Sequence, residues 1–139
     1  MTMIRPLQDD DYDALACFRY AMRKFLSFSK QALATEARLT PEQYEALLAV
    51  KAFSSSTGLT IRDLSERLQV KHHTAVGVVD KLEGMFLLQR EPGVLDRRQV
   101  FLKLTPEGIR LLARVAAIHR EELRVRSPEM IQALIRLQK

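Results

Sequence analysis

Apolar positions along this chain recur at helical spacing over most of its length and switch to strict alternation in one stretch only. Helix starts are the clearest local marks, because a Ser or Thr at the N-cap accepts a hydrogen bond from an orphan amide and Pro at the next position sacrifices none. Thr40-Pro41-Glu42-Gln43 has the cap, the proline and the Gln that completes a capping box, while Thr105-Pro106-Glu107 and Ser127-Pro128-Glu129 repeat the cap and the proline. Thr60 followed by Asp63 resembles another start. The pattern predicts helices over Asp11–Thr35, Pro41–Phe53, Ile61–Leu68, His72–Met85, Pro106–Arg124 and Pro128–Leu137, with Ser54–Gly58 as a polar loop.

Val100, Leu102 and Leu104 alternate with Gln99, Phe101 and Lys103 as a half-buried strand does, and Leu87–Glu91 supplies a partner run. Between them Pro92–Arg98 makes a hairpin loop with two adjacent arginines at its far end. Three helices and then a hairpin within residues 41–104 is the order of a winged helix-turn-helix, with the turn at Gln69-Val70-Lys71. In the second helix of that motif Ala75, Val78, Val79, Leu82 and Phe86 form one apolar stripe for a core. His73, Val76, Gly77 and Asp80 lie opposite, with His72, Thr74 and Lys81 at the margins, and this is the face expected to meet bases. Gly77 costs about 1 kcal/mol relative to Ala inside a helix, and either tolerance or close backbone approach to a ligand accounts for it.

Length sharpens this to one domain of 139 residues, and the absence of a long apolar run excludes a membrane span and points to a cytoplasmic protein. The net charge is +5, yet residues 61–103 hold eight basic and six acidic side chains, so an anion-binding surface there depends on sorting charges between faces. Cys17 is the one cysteine, which excludes an internal disulfide and a multi-cysteine zinc site. No metal site is expected, because His72 and His73 point about 100° apart and no further ligand stands at the right spacing. No cofactor or enzyme is expected either: no phosphate-cradling loop, nucleophile elbow or HExxH motif is present.

Leu59–Leu68, Val79-Asp80-Lys81-Leu82-Glu83, Asp96-Arg97-Arg98-Gln99-Val100 and Thr105-Pro106-Glu107-Gly108 together resemble, in order and spacing, the DNA-domain helices, wing and following helix of the MarR family of transcriptional regulators. The resemblance covers nearly the whole chain and implies a homodimer bound to a pseudo-palindromic double-stranded operator, often released by a small molecule or oxidant. On that reading the fold is mainly α with a small β-hairpin, a winged helix-turn-helix at 41–104 flanked by dimerisation helices at 11–35 and 106–138. Candidate DNA-binding residues are Lys71, His72, His73, Thr74, Val76, Gly77 and Lys81 on the recognition helix and Arg97 and Arg98 on the wing, with Asp96 orienting the wing. Val76 and Gly77 depart from the polar or basic readers of many members, so base specificity does not carry over.

Dimerisation also follows from composition, since Tyr12, Phe18, Tyr20, Phe25 and Phe28 spread over more than one face of the first helix with Leu15, Met22, Leu26 and Leu33. Ile109, Leu112, Val115, Ala116, Leu123, Ile131, Leu134, Ile135 and Leu137 supply matching apolar surface at the other end. A small aromatic or lipophilic effector is expected between dimerisation helices and winged domain, beside Phe25, Phe28, Tyr44 and Leu48. Cys17, read as mid-helix among apolar residues, is a candidate redox thiol and otherwise an inert small hydrophobe. The alternative to a regulator is a winged-helix adaptor that binds protein, which salt dependence of DNA binding separates.

Overall fold

The computed structural model describes residues 3–53 and 58–139, so the expected polar loop lies outside the described residues except for Gly58. The elements are α1 (Asp9–Ala37), α2 (Pro41–Ala52), β1 (Leu59–Thr60), α3 (Ile61–Leu68), α4 (His72–Gly84), β2 (Leu88–Pro92), β3 (Val100–Leu104) and α5 (Pro106–Leu137). Two compact units emerge, one of Ala32–Ala116 and one formed by the chain up to Gln31 with Ala117–Lys139.

The unit of Ala32–Ala116 is organised around Leu33, Leu47, Val50, Leu64, Val79, Leu82 and Val115, all essentially inaccessible to solvent. Its helices start where their caps demand. The Thr40 amide donates to Gln43 Oε1 at 3.0 Å while the Gln43 amide donates to Thr40 Oγ1 at 3.2 Å, and Thr60 and Asp63 exchange the same two bonds at 3.1 Å each. At α5 the Thr105 hydroxyl accepts from the Gly108 amide at 2.9 Å and donates to the Phe86 carbonyl at 2.7 Å, and the Thr105 amide donates to Leu87 O at 3.1 Å. One threonine therefore caps α5 and seats its first turn on the chain leaving α4.

The sheet has three antiparallel strands in the order β1-β3-β2, where the sequence showed only a hairpin. Two residues are too few to display alternation, but Leu59 opposite Leu102 and Leu88 opposite Leu104 put four leucines into the core. Phe86 also departs from expectation: it is 73% exposed, off the apolar stripe, because α4 ends at Gly84 and Phe86 takes φ 61, turning the chain outward. The Leu87 amide then closes back on Leu82 O at 3.1 Å, and Leu87 fills the buried place instead.

The two expected C-terminal helices are one. Pro128 lies inside α5, and Ser127 does not cap a new helix. Proline removes one donor and strains the preceding turn, at a cost of about 3 kcal/mol, but its φ suits a helix. Arg126 paired with Glu122, and Arg124 with Glu121 at 3.1 Å, brace the turns before it.

In the other unit, residues of α1 and α5 are tied by Arg136, which binds Asp10 and Asp13 (2.7 Å to the latter), and by Lys24 with Glu129 at 3.3 Å. Beneath them Ser29 Oγ and His119 Nε2 lie 2.7 Å apart, both buried. Phe25 and Phe28 meet the His119 ring edge-on, with centroids 6.1 and 6.2 Å away. Of the residues assigned to the dimer surface, Leu33, Leu112 and Val115 are instead committed to the core of Ala32–Ala116. Tyr12, Leu15, Tyr20, Leu26, Leu123, Ile131, Leu134 and Ile135 are exposed. Among the described residues, no helix is long and apolar enough to cross a membrane.

Candidate nucleic-acid interface

α3 ends at Gln69 in the left-handed conformation, φ 55 and ψ 48, with the Val70 amide returning to Ser65 O at 3.1 Å. This tight reversal turns the chain directly into α4, whose N-cap Lys71 is extended and makes no side-chain cap. The Thr74 amide donates to Lys71 O at 3.0 Å, and no side chain caps the amides before it.

α4 buries Ala75, Val79 and Leu82, with Val78 half-buried, so the apolar stripe holds as far as Leu82. Lys71, His72, His73, Thr74, Gly77, Asp80 and Lys81 are exposed, and Val76 is half-buried at the margin. A Cβ on Gly77 meets nothing within 4 Å among the described residues, none of which requires glycine there.

A residue that sequence reasoning missed, Arg90 on β2, fixes the helix to the wing. Its Nη2 donates to Asp80 at 2.8 Å and its Nη1 to Glu83, one turn further along the same face. The hydrogen bond to Asp80, against the opposing effect of partial burial, raises the Arg90 pKa. Asp80 is therefore engaged by the wing strand rather than free to accept from a base. Nothing in the periodicity of β2 marks Arg90, since an ion pair between elements depends on how they pack.

The wing tip, Gly93 to Gln99, is internally braced. The Gly93 amide donates to Gln99 O at 2.8 Å and the Gln99 amide to Asp96 O at 3.1 Å. Gly93 is required there, because a Cβ would stand 2.5 Å from Asp96 O. The Asp96 carboxylate accepts from the Arg98 amide at 3.0 Å, from its Nε at 3.2 Å and from its Nη2 at 3.4 Å. The amide first, then the guanidinium, holds the Asp96 carboxyl below the usual carboxylate range. Arg97 is exposed, with no hydrogen bond or ion pair recorded among the described residues. The two wing arginines thus differ: Arg98 shapes the tip, and Arg97 projects an uncompensated charge.

The remaining candidates fall in different places. Phe25 and Phe28 flank His119, Tyr44 is buried in the Ala32–Ala116 core with its phenol pKa raised by burial, and Leu48 is 42% exposed. Cys17 is exposed rather than set among apolar residues, its Sγ donating to Asp13 Oδ2 at 3.8 Å. A groove of about 560 Å³ runs along α1 between Arg19, Met22, Arg23, Leu26, Ser27 and Lys30, an apolar floor under three cations.

Residues 39–99 match the MarR family. A Thauera aromatica protein named for regulation of an hcr operon is 32% identical over 91 residues, 66% of this chain and 52% of that protein. The transcriptional repressor MdtR of Bacillus subtilis is 34% identical over 70 residues, 50% of this chain and 43% of the repressor. The matched stretch thus spans about half the length of these curated relatives. A Staphylococcus aureus MepR variant, solved bound to an oligodeoxyribonucleotide, superposes with a TM-score of 0.67 at 25% identity, covering 89% of this chain and 92% of MepR. The winged helix-turn-helix of this chain is thus similar to that of the MarR family, whose model it matches over residues 39–99.

Proposed function

We propose that the protein is a sequence-specific DNA-binding transcriptional regulator, a repressor that acts as a homodimer on a pseudo-palindromic operator. The observation that carries this reading is the Arg90 bridge, which ties the exposed face of α4 to strand β2 of the wing. His73, Thr74 and Gly77 present that face to the edges of bases in a major groove, while Lys71, Lys81, Arg97 and the uncapped start of α4 face phosphates. The DNA-bound MepR relative supports the partner, and the name of MdtR supports repression. Dimerisation is supported by the exposed apolar side chains of Tyr12, Leu15, Ile131, Leu134 and Ile135, more than a monomer ordinarily leaves to water.

The effector in this reading is a small aromatic or lipophilic anion. The groove on α1 suits that class, with Met22 and Leu26 for the apolar body and Arg19, Arg23 and Lys30 for the charge.

The test is quantitative titration of duplexes selected by the protein from random-sequence DNA. Two protomers bind per site, with half-site centres about one helical turn apart, and affinity falls steeply with salt as phosphate neutralisation releases counterions. One protomer per minimal site, or a flat salt response, defeats the proposal.

A further inference from the structure

The wing tip carries two side chains that DNA-phosphate contact does not use. Val94 and Leu95 are 97% and 101% exposed, adjacent in sequence, and lie immediately before Asp96 and Arg97. A connection that only closed the β2–β3 hairpin would favour polar turn residues, since two aliphatic side chains held fully in water gain nothing in the folded state. Nor is the tip a slack loop in which they could fold inward. The bonds from Gly93 to Gln99 and from Gln99 to Asp96 close it, the Asp96–Arg98 bonds brace it, and Gly93 is pressed against Asp96 O. The result is a braced projection, apolar at its extremity with the Arg97 charge just behind, and that charge favours a polyanion as the surface it meets.

Building on the proposed DNA binding, we infer that Leu95, backed by Val94, is an apolar wedge that the wing carries into the minor groove beside Arg97, where it unstacks a base step. A minor groove about 6 Å wide admits a leucine side chain, and inserted apolar residues kink duplexes by opening one step. Pyrimidine–purine steps unstack most readily, so the wedge makes the protein select such a step at a position where it forms no base-edge hydrogen bond. Arg97 contributes attraction to the negative potential of a narrow groove, and Leu95 contributes apolar burial and deformation.

The experiment uses the full chain, a duplex it selects from a random pool, and 2-aminopurine placed at successive steps under the wing, since unstacking raises its fluorescence. The wild-type protein raises fluorescence at one pyrimidine–purine step. The Val94→Ser/Leu95→Ser double variant abolishes that rise and binds about tenfold more weakly, the gain from burying the aliphatic side chains being offset in large part by the cost of unstacking the step. Its dependence on salt stays that of the wild type, because no phosphate contact is removed, whereas Arg97→Ala lowers the salt slope by about one. The substituted side chains are wholly exposed, so thermal unfolding of the double variant matches the wild type. Binding by the wild type with no fluorescence change at any step, or a double variant indistinguishable from wild type in both readouts, overturns the wedge and leaves DNA binding standing. Failure of the wild type to bind any duplex overturns both.

Discussion

The first turn of α5 presses on the chain leaving α4 so closely that a Cβ on Gly108 would stand 2.1 Å from the Leu87 carbonyl oxygen. That oxygen also accepts from the Thr105 amide, so neither partner is free to retreat. Gly108→Ala is expected to destabilise the protein by about 1 to 3 kcal/mol, the range of overpacking against fixed neighbours. Gly77→Ala, in open space on α4, is expected to raise stability by up to about 1 kcal/mol through helix propensity. Denaturant titration of both variants checks the pair, and stability changes of the same sign would contradict it.

Arg90 offers a test of how the reading helix is held. Arg90→Ala leaves Asp80 and Glu83 without their cation on a surface proposed to face phosphates. Operator affinity is expected to fall about tenfold or more, most strongly at low salt, where repulsion between the carboxylates and DNA is least screened. Adding Asp80→Asn to Arg90→Ala should recover part of the loss. Titrations at two salt concentrations decide it; a double variant as weak as the single one removes the electrostatic explanation.

On the wing, Arg97→Ala should weaken binding to selected and random DNA by similar factors, as a backbone or groove contact does. Arg98→Ala acts differently, by freeing Asp96 and loosening the tip. His73 and Thr74 substitutions should change the preferred sequence instead. Selection from a random pool with each variant compares them, and a wing variant that rewrites the major-groove half-site would show the roles reversed.

Within the other unit, Ser29→Ala removes the hydroxyl 2.7 Å from His119 Nε2 in a buried setting. The expected loss is about 1 to 3 kcal/mol, the penalty for breaking one side of a buried hydrogen bond. Thermal unfolding measures it; an unchanged midpoint would show that the bond contributes nothing net.

The start of α1 carries a pH signature. Asp11 accepts from Arg5 Nη2 at 2.8 Å and from the Gln8 amide at 2.9 Å, and the Arg5 bond first, then the amide, lowers its pKa. A carboxyl lowered in the folded state adds stability at pH above its unfolded value, near 3.9, and loses it as pH falls through the folded value. Asp11→Asn should therefore reduce stability at neutral pH and make less difference in strong acid. Unfolding curves at several pH values test this, and a difference that grows on acidification has the wrong sign.

Local chemistry determined much by itself. Thr40-Pro41, Thr60 with Asp63 and Thr105-Pro106 start helices in the structure because a cap needs only its own next three residues. The α4 stripe of Ala75, Val79 and Leu82 and the exposure of His73, Thr74 and Gly77 follow from one helical period, and Asp96 meets Arg98 because they are two residues apart. Tertiary structure decided what depends on distant partners. Pro128 stays within α5 although its neighbourhood reads as a new start, since helix on both sides with its ion pairs outweighs one proline. β1 exists only because Leu59 finds Leu102, and Phe86 leaves the core because the chain must turn there to begin the wing. Arg90 could not be singled out beforehand. Its two carboxylates lie 10 and 7 residues earlier on another element, and only packing of the wing strand on α4 brings the three charges together.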